Sequence, residues 1–146
     1  MIAIGSDHGG ISLKKKIIQW LQSLNYQVED YGTFSDESVD YPDYAQKVSK
    51  AVAEGSPELG ILICGTGIGM AISANKVKGV RAANVSDTFS ARMFKEHNNG
   101  NVICLGARVL GDELAKDIIL SFLNASFAGG RHNRRVDKIM ALESKN

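Results

Sequence analysis

Cysteine and proline are both scarce in this chain, two of each in 146 residues. Two cysteines cannot staple a domain of this length. Cys64 and Cys104 both fall in apolar runs, so they are expected to persist as reduced thiols in a cytoplasmic protein. With two prolines and no low-complexity tract, a linker is not expected, and residues 1–146 read as a single domain. No charge of one sign dominates: the formal net charge of +1 gives no reason to expect nucleic acid or an anionic membrane as partner. No apolar run approaches the roughly 20 residues that a membrane-crossing helix needs. Met1-Ile2-Ala3-Ile4 runs directly into Gly-Ser-Asp-His without a basic leader, so no signal peptide is expected. The histidines lack metal-ligand spacing, and no metal or organic cofactor is expected.

What is present is alternation. Strand-like apolar runs at 1–5, 26–31, 59–64, 80–85 and 102–105 alternate with helical periodicity at 11–24, 42–52, 70–74, 87–97 and 112–123. A last helical pattern occupies 133–143. Pro42 suits a first helical turn, and Ser86 or Asp87 suits a cap. This order predicts an α/β fold: a three-layer, doubly wound, five-stranded parallel sheet, Rossmann- or flavodoxin-like, with a C-terminal helix. The flavodoxin-like strand order 2-1-3-4-5 is expected. Ligands of such sheets sit beyond the carboxyl strand ends where the order reverses, here between strands one and three. The exits that meet there are Ser6-Asp7-His8-Gly9-Gly10 and Cys64 to Gly69.

The second exit organises the chain. Ile61, Leu62 and Ile63 break into Cys64-Gly65-Thr66-Gly67-Ile68-Gly69, and Met70, Ala71, Ile72 and Ala74 then suit a helix. Glycines at 65, 67 and 69 let backbone N–H groups approach a ligand closely, and a helix start leaves several of them without intrahelical partners. A cysteine at the lip of that turn lies where the positive end of a helix dipole favours thiolate. A cysteine phosphatase loop would need arginine where Met70 stands. A dinucleotide fingerprint needs its third glycine one residue later than Gly69, although the spacing of Asp87 mimics the ribose-binding acid. A structural turn with an inert buried cysteine is the plain alternative.

Other candidates each carry two readings. Asp7 and His8 face the crevice, or Asp7 only caps the first helix. His97-Asn98-Asn99 ends a helix, either as catalytic groups or as a dipole partner and a helix stop. Arg131, Arg134 and Arg135 either form a solvated cluster or, with Arg131 and Arg135 on one helical face, bind phosphate. Cys104 reads as core.

SDHGG at 6–10, DYPDYA at 40–45, CGTGIGM at 64–70, EHN at 96–98 and GGRHNRR at 129–135 together resemble ribose-5-phosphate isomerase B. That family of sugar-phosphate isomerases also contains the galactose-6-phosphate isomerase subunits. The resemblance spans the whole chain. One branch of the family uses a glutamate in place of the cysteine; Cys64, with no acidic residue between Gly65 and Asn75, places this chain with the cysteine branch.

The resemblance implies interconversion of ribulose 5-phosphate and ribose 5-phosphate through a cis-enediolate, with Cys64 as the base. N–H groups of Gly65, Thr66, Gly67, Ile68 and Gly69 would hold the enediolate oxygens. His97 would open the furanose ring, with Thr66 and Asp7 positioning hydroxyls and shuttling protons. Arg131 and Arg135, with His8, would hold phosphate, and Asn98 and Arg108 would complete the sugar contacts. A six-carbon sugar phosphate (allose or galactose 6-phosphate) is the alternative substrate. A non-catalytic sugar-phosphate sensor and a dinucleotide oxidoreductase using Asp87 are the alternatives in other classes. Topology adds one expectation. A helix running back from the carboxyl edge delivers His97 to the opposite edge from Cys64. A homodimer that shares its active sites, or a tetramer built from it, is therefore expected.

Overall fold

The structure is a computed structural model and describes residues 1–145. Three strands, β1 (Ile2–Ser6), β3 (Leu59–Cys64) and β5 (Val102–Gly106), are almost wholly buried. Their near-continuous aliphatic sequences suit a parallel sheet covered on both faces. Two three-residue strands, β2 (Val28–Asp30) and β4 (Ala82–Asn84), are partly exposed. All pairs are parallel, in the order β2-β1-β3-β5-β4.

The doubly wound five-stranded parallel sheet is the expected one, but the expected 2-1-3-4-5 order is corrected to 2-1-3-5-4. Burial decides this exchange. Val-Ile-Cys-Leu-Gly in β5 has apolar groups for both faces and takes the interior place beside β3, whereas Ala-Ala-Asn in β4 has little to bury and takes the edge.

Among the described residues six helices, α1 (Ile11–Ser23), α2 (Tyr41–Ala53), α3 (Ile68–Ala74), α4 (Thr88–Asn98), α5 (Asp112–Leu123) and α6 (Arg131–Ala141), follow the alternation. Strand side chains alternate between two cores. Ile4, Ile61, Ile63, Ile103 and Leu105 meet Leu13 and Ile17 of α1, Phe94 of α4 and Phe122 of α5. Ala3, Leu62, Cys64 and Cys104 meet Val48 and Val52 of α2 and Met70 of α3. On this second side the sheet is kept small so that α2 can approach: a Cβ on Gly5 or Gly60 would come within 2.9 or 2.7 Å of Val48.

Local chemistry sets the helix ends. Pro42 lies in the first turn of α2. Asp87 accepts from the Ser90 N–H at 2.6 Å, which caps α4 and holds the Asp87 carboxyl below its ordinary range. Asn99, at φ +46°, stops α4 in the left-handed conformation. Helix α6 begins at Arg131, two residues before the sequence pattern, and packs against α4. Among the described residues no helix is long and apolar enough to cross a membrane.

Candidate active site

The order 2-1-3-5-4 still places β1 beside β3, so the two glycine-rich exits adjoin as expected. The Asp7 N–H donates to the Ile63 carbonyl at 3.2 Å, and Gly10 packs so tightly on Ile63 that a Cβ there would lie 2.7 Å from its carbonyl oxygen. The β5 exit completes the corner: the N–H groups of Ala107 and Arg108 donate to the carbonyls of Cys64 and Gly65. The Arg108 side chain lies over Gly65, its Nη1 3.5 Å from where a Cβ would stand, and its Nη2 is 4.0 Å from the same point on Gly9. Gly9, Gly65 and the Arg108 side chain thus meet at the carboxyl edge, where Asp7 and His8 leave β1 and Cys64 ends β3.

Cys64 ends β3 with 5% exposure, on the side covered by α2 and α3. Its Sγ accepts the Gly67 N–H at 3.1 Å. This requires the loop to fold back on itself, and Gly67 does so at φ +82°. The neighbouring N–H of Ile68 donates to Thr66 Oγ1 at 3.2 Å. Two loop donors are therefore committed, leaving those of Gly65, Thr66 and Gly69 for a ligand among the described residues. The other cysteine has a different environment. Cys104 is fully enclosed in the sheet, and burial, then the nearby Cys64, push its thiol pKa up.

Asp7 is a cap. Its Oδ1 accepts the Gly9 N–H at 2.9 Å, closing the single 3₁₀ turn that leads into α1. His8 is half-buried, and its Nδ1 accepts the Val39 N–H at 3.2 Å.

The remaining expected residues lie elsewhere. Helix α4 ends at Asn98, four residues before β5 begins, whereas Cys64 pairs with Gly106 at the far end of β5. Roughly 13 Å of strand separates the two edges, at about 3.3 Å per residue. His97 and Asn98 occupy the amino edge, as the helix direction required. There the His97 ring stacks on His132 of α6, centroids 4.2 Å apart and 12° from parallel. Arg131 and Arg135 share the first turns of α6 beside that stack, exposed to solvent. Burial, followed by His97, Arg131 and Arg135, holds the His132 pKa down. A concavity of about 470 Å³, lined in part by Arg81, Phe94, Asn98 and Ile139, opens on this edge rather than at Cys64.

The candidate residues therefore stand on opposite edges of the sheet. Cys64, Thr66, Asp7, His8 and Arg108 stand on one; His97, Asn98, Arg131 and Arg135 stand on the other. Asp87, the residue of the dinucleotide reading, caps α4 through Oδ1. Among the described residues no group of three His, Cys, Asp or Glu is placed to hold a metal ion. Sequence reasoning missed Tyr41, whose ring fills the space above Gly69, where a Cβ would meet its Cε1 at 2.3 Å. It also missed Val39, which reaches His8 through its backbone, and His132. Tyr41 lies in the DYPDYA motif, but no periodicity indicates which glycine an aromatic ring will cover.

Residues 2–139 match the model of the family described as Ribose/Galactose Isomerase. A D-erythrulose-4-phosphate isomerase of Pectobacterium atrosepticum is 49% identical over 139 residues, covering 94% of this chain and 91% of its own. The ribose-5-phosphate isomerase B structure from Clostridium thermocellum superposes with a TM-score of 0.97 at 52% identity, over 99% of this chain and 97% of that one. That of Mycoplasma genitalium, solved with bound ribulose-5-phosphate, gives 0.95 at 45% identity, over 99% and 97%. With its sheet order, its two glycine-rich strand exits and this similarity from end to end, the chain belongs to the ribose/galactose isomerase family.

Proposed function

We propose that this protein interconverts D-ribulose 5-phosphate and D-ribose 5-phosphate, acting in the cytoplasm as a homodimer whose two active sites each draw on both subunits. The observation that carries the reading is the seat of Cys64 at the carboxyl end of β3, where its Sγ accepts the Gly67 N–H at 3.1 Å and Arg108 lies over the next residue, Gly65. The Mycoplasma genitalium relative, which binds ribulose-5-phosphate, supports the five-carbon choice.

In this mechanism the Cys64 thiolate removes the proton from the carbon beside the carbonyl and returns it to the neighbouring carbon. The electron pair passes through a cis-enediolate. Free N–H groups of Gly65, Thr66 and Gly69 meet the oxygen that becomes negative, and one such donor is worth on the order of 3 kcal/mol in a transition state. Thr66 and Asp7 hold hydroxyls and relay protons between them. His97 from the second subunit opens the furanose ring by protonating the ring oxygen, and Asn98 orients the chain. Arg131 and Arg135 grip the phosphate with His8, since paired guanidinium N–H groups match its oxygens. Arg108 completes the sugar contacts. Dimerisation is what brings a group at the amino edge of one sheet to the carboxyl edge of the other.

The test is a panel of four-, five- and six-carbon aldose and ketose phosphates, assayed with wild type and Cys64→Ala. Five-carbon turnover that collapses in the variant is expected. Undiminished turnover by Cys64→Ala would remove the thiol from the mechanism. A four-carbon substrate preferred over ribulose 5-phosphate would move the assignment toward the Pectobacterium relative.

A further inference from the structure

Lys14 is the one charged side chain on the buried face of α1. It has 1% exposure, among Ile11, Leu13, Ile17 and Leu21. Burying an ammonium group is costly unless it is paired and hydrogen-bonded, and an apolar residue of similar size often stabilises as well or better. A buried lysine here therefore serves geometry better than it serves stability, and its partners indicate which geometry.

Lys14 Nζ donates to Asp30 Oδ1 at 2.7 Å and to the Thr33 carbonyl at 2.6 Å. The Phe34 ring covers it, with its centroid at 5.0 Å. The same Asp30 oxygen accepts the Gly32 N–H at 2.9 Å. Gly32 and Thr33 are in turn stitched to the last residue of β1: the Ser6 N–H donates to the Gly32 carbonyl at 2.7 Å, and the Thr33 N–H donates to the Ser6 carbonyl at 2.8 Å. The corner after β2 is thus tied to the strand whose next residues are Asp7 and His8.

Beyond Thr33 the chain has no regular structure until α2 begins at Tyr41, yet it returns to the same place. Its Val39 N–H donates to His8 Nδ1 at 3.2 Å. A ring nitrogen that accepts a hydrogen bond carries no proton, so the neutral imidazole must carry its proton on Nε2. Among the described residues Nε2 has no hydrogen-bond partner, which leaves that N–H free to donate to a ligand.

We propose that Lys14 is a positioning residue: through Asp30 and the Thr33 carbonyl it fixes the 31–40 loop so that Val39 holds His8 as the Nε2–H tautomer, ready to donate to the substrate phosphate. The last step rests on the phosphate-binding role assigned to His8 above; the tautomer itself does not.

Long-range proton–nitrogen NMR of the nitrogen-15-labelled full chain without substrate reads the tautomer directly. Wild type and Lys16→Met, which removes only an exposed pair with Asp112, should each show His8 as a single Nε2–H species. Lys14→Met should show a mixture of tautomers, with KM for sugar phosphate raised about tenfold and kcat within about twofold. Asp30→Asn, at a partly exposed position that tolerates an amide, carries the test if Lys14→Met does not fold. An Nδ1–H tautomer in wild type, or a single Nε2–H tautomer in both variants, would overturn the proposal. Loss of the tautomer with KM unchanged would uphold the clamp and overturn the phosphate role of His8.

Discussion

His97 and His132 lie ring against ring, 4.2 Å between centroids, and so join the end of α4 to the start of α6. The contact ties a helix terminus to the arginine-bearing turn. The pH consequence has a definite sign. The His132 pKa is held below its ordinary value by burial and then by His97, Arg131 and Arg135. The unfolded chain therefore binds a proton that the folded chain refuses, and stability falls as the pH drops below about 6.5. The fall ends once the folded-state pKa is passed. His132→Gln should flatten this part of the profile, as read from denaturation midpoints between about pH 5 and about pH 8.

The two thiols should separate by reactivity. Cys64 ends a strand at the glycine turn with 5% exposure, whereas Cys104 has no exposure and its pKa is raised. Alkylation of the native protein should modify Cys64 and abolish turnover, and Cys104 should react only after denaturation, as peptide mass mapping would show. Cys104→Ala should keep activity and cost about 1–2 kcal/mol for the small cavity left in the sheet. Substrate protection of Cys104 rather than Cys64 would invert the assignment.

Gly67 and Gly69 should be sensitive for different reasons. At Gly67 an alanine would need φ +82°, with its Cβ 2.4 Å from Asn84 Oδ1, so it should destabilise the protein by about 1–3 kcal/mol and disturb the N–H that faces Cys64. At Gly69 the backbone is ordinary helix, and the obstacle is the Tyr41 ring. The double variant Gly69→Ala with Tyr41→Leu should therefore recover much of the stability lost in Gly69→Ala, while no partner change should rescue Gly67→Ala. Urea midpoints of the four proteins check this.

Shared sites predict complementation. Cys64→Ala and His97→Ala should each be inactive alone. In a mixed dimer one cleft receives both defects and the other receives neither, so denaturing and refolding an equal mixture should restore roughly a quarter of wild-type activity. No recovery, with heterodimers confirmed by native mass spectrometry, would place His97 with its own subunit's Cys64.

The feature most open to the sequence was where polar, glycine-rich segments would leave the sheet. Apolar runs ending in Ser6-Asp7-His8 and in Cys64-Gly65-Thr66 announce strand exits, because a buried strand can be neither polar nor glycine-rich for long. Helix periods, the Asp87 cap and the direction of α4 were readable in the same local terms, and that direction alone put His97 on the far edge.

Order within the sheet was not local. Which of β4 and β5 lies inside depends on comparing how much each can bury against the same neighbours, a competition settled only when the whole sheet assembles. The same holds for contacts made by backbone or by packing. Val39 meets His8 through an N–H that every residue but proline possesses, and Tyr41 covers Gly69 because two distant turns converge. Sequence determines what each segment is able to bury or expose, since period and polarity are written residue by residue. Tertiary structure alone decided which segments meet, because that choice minimises exposed apolar surface and unpaired polar groups over the entire chain at once.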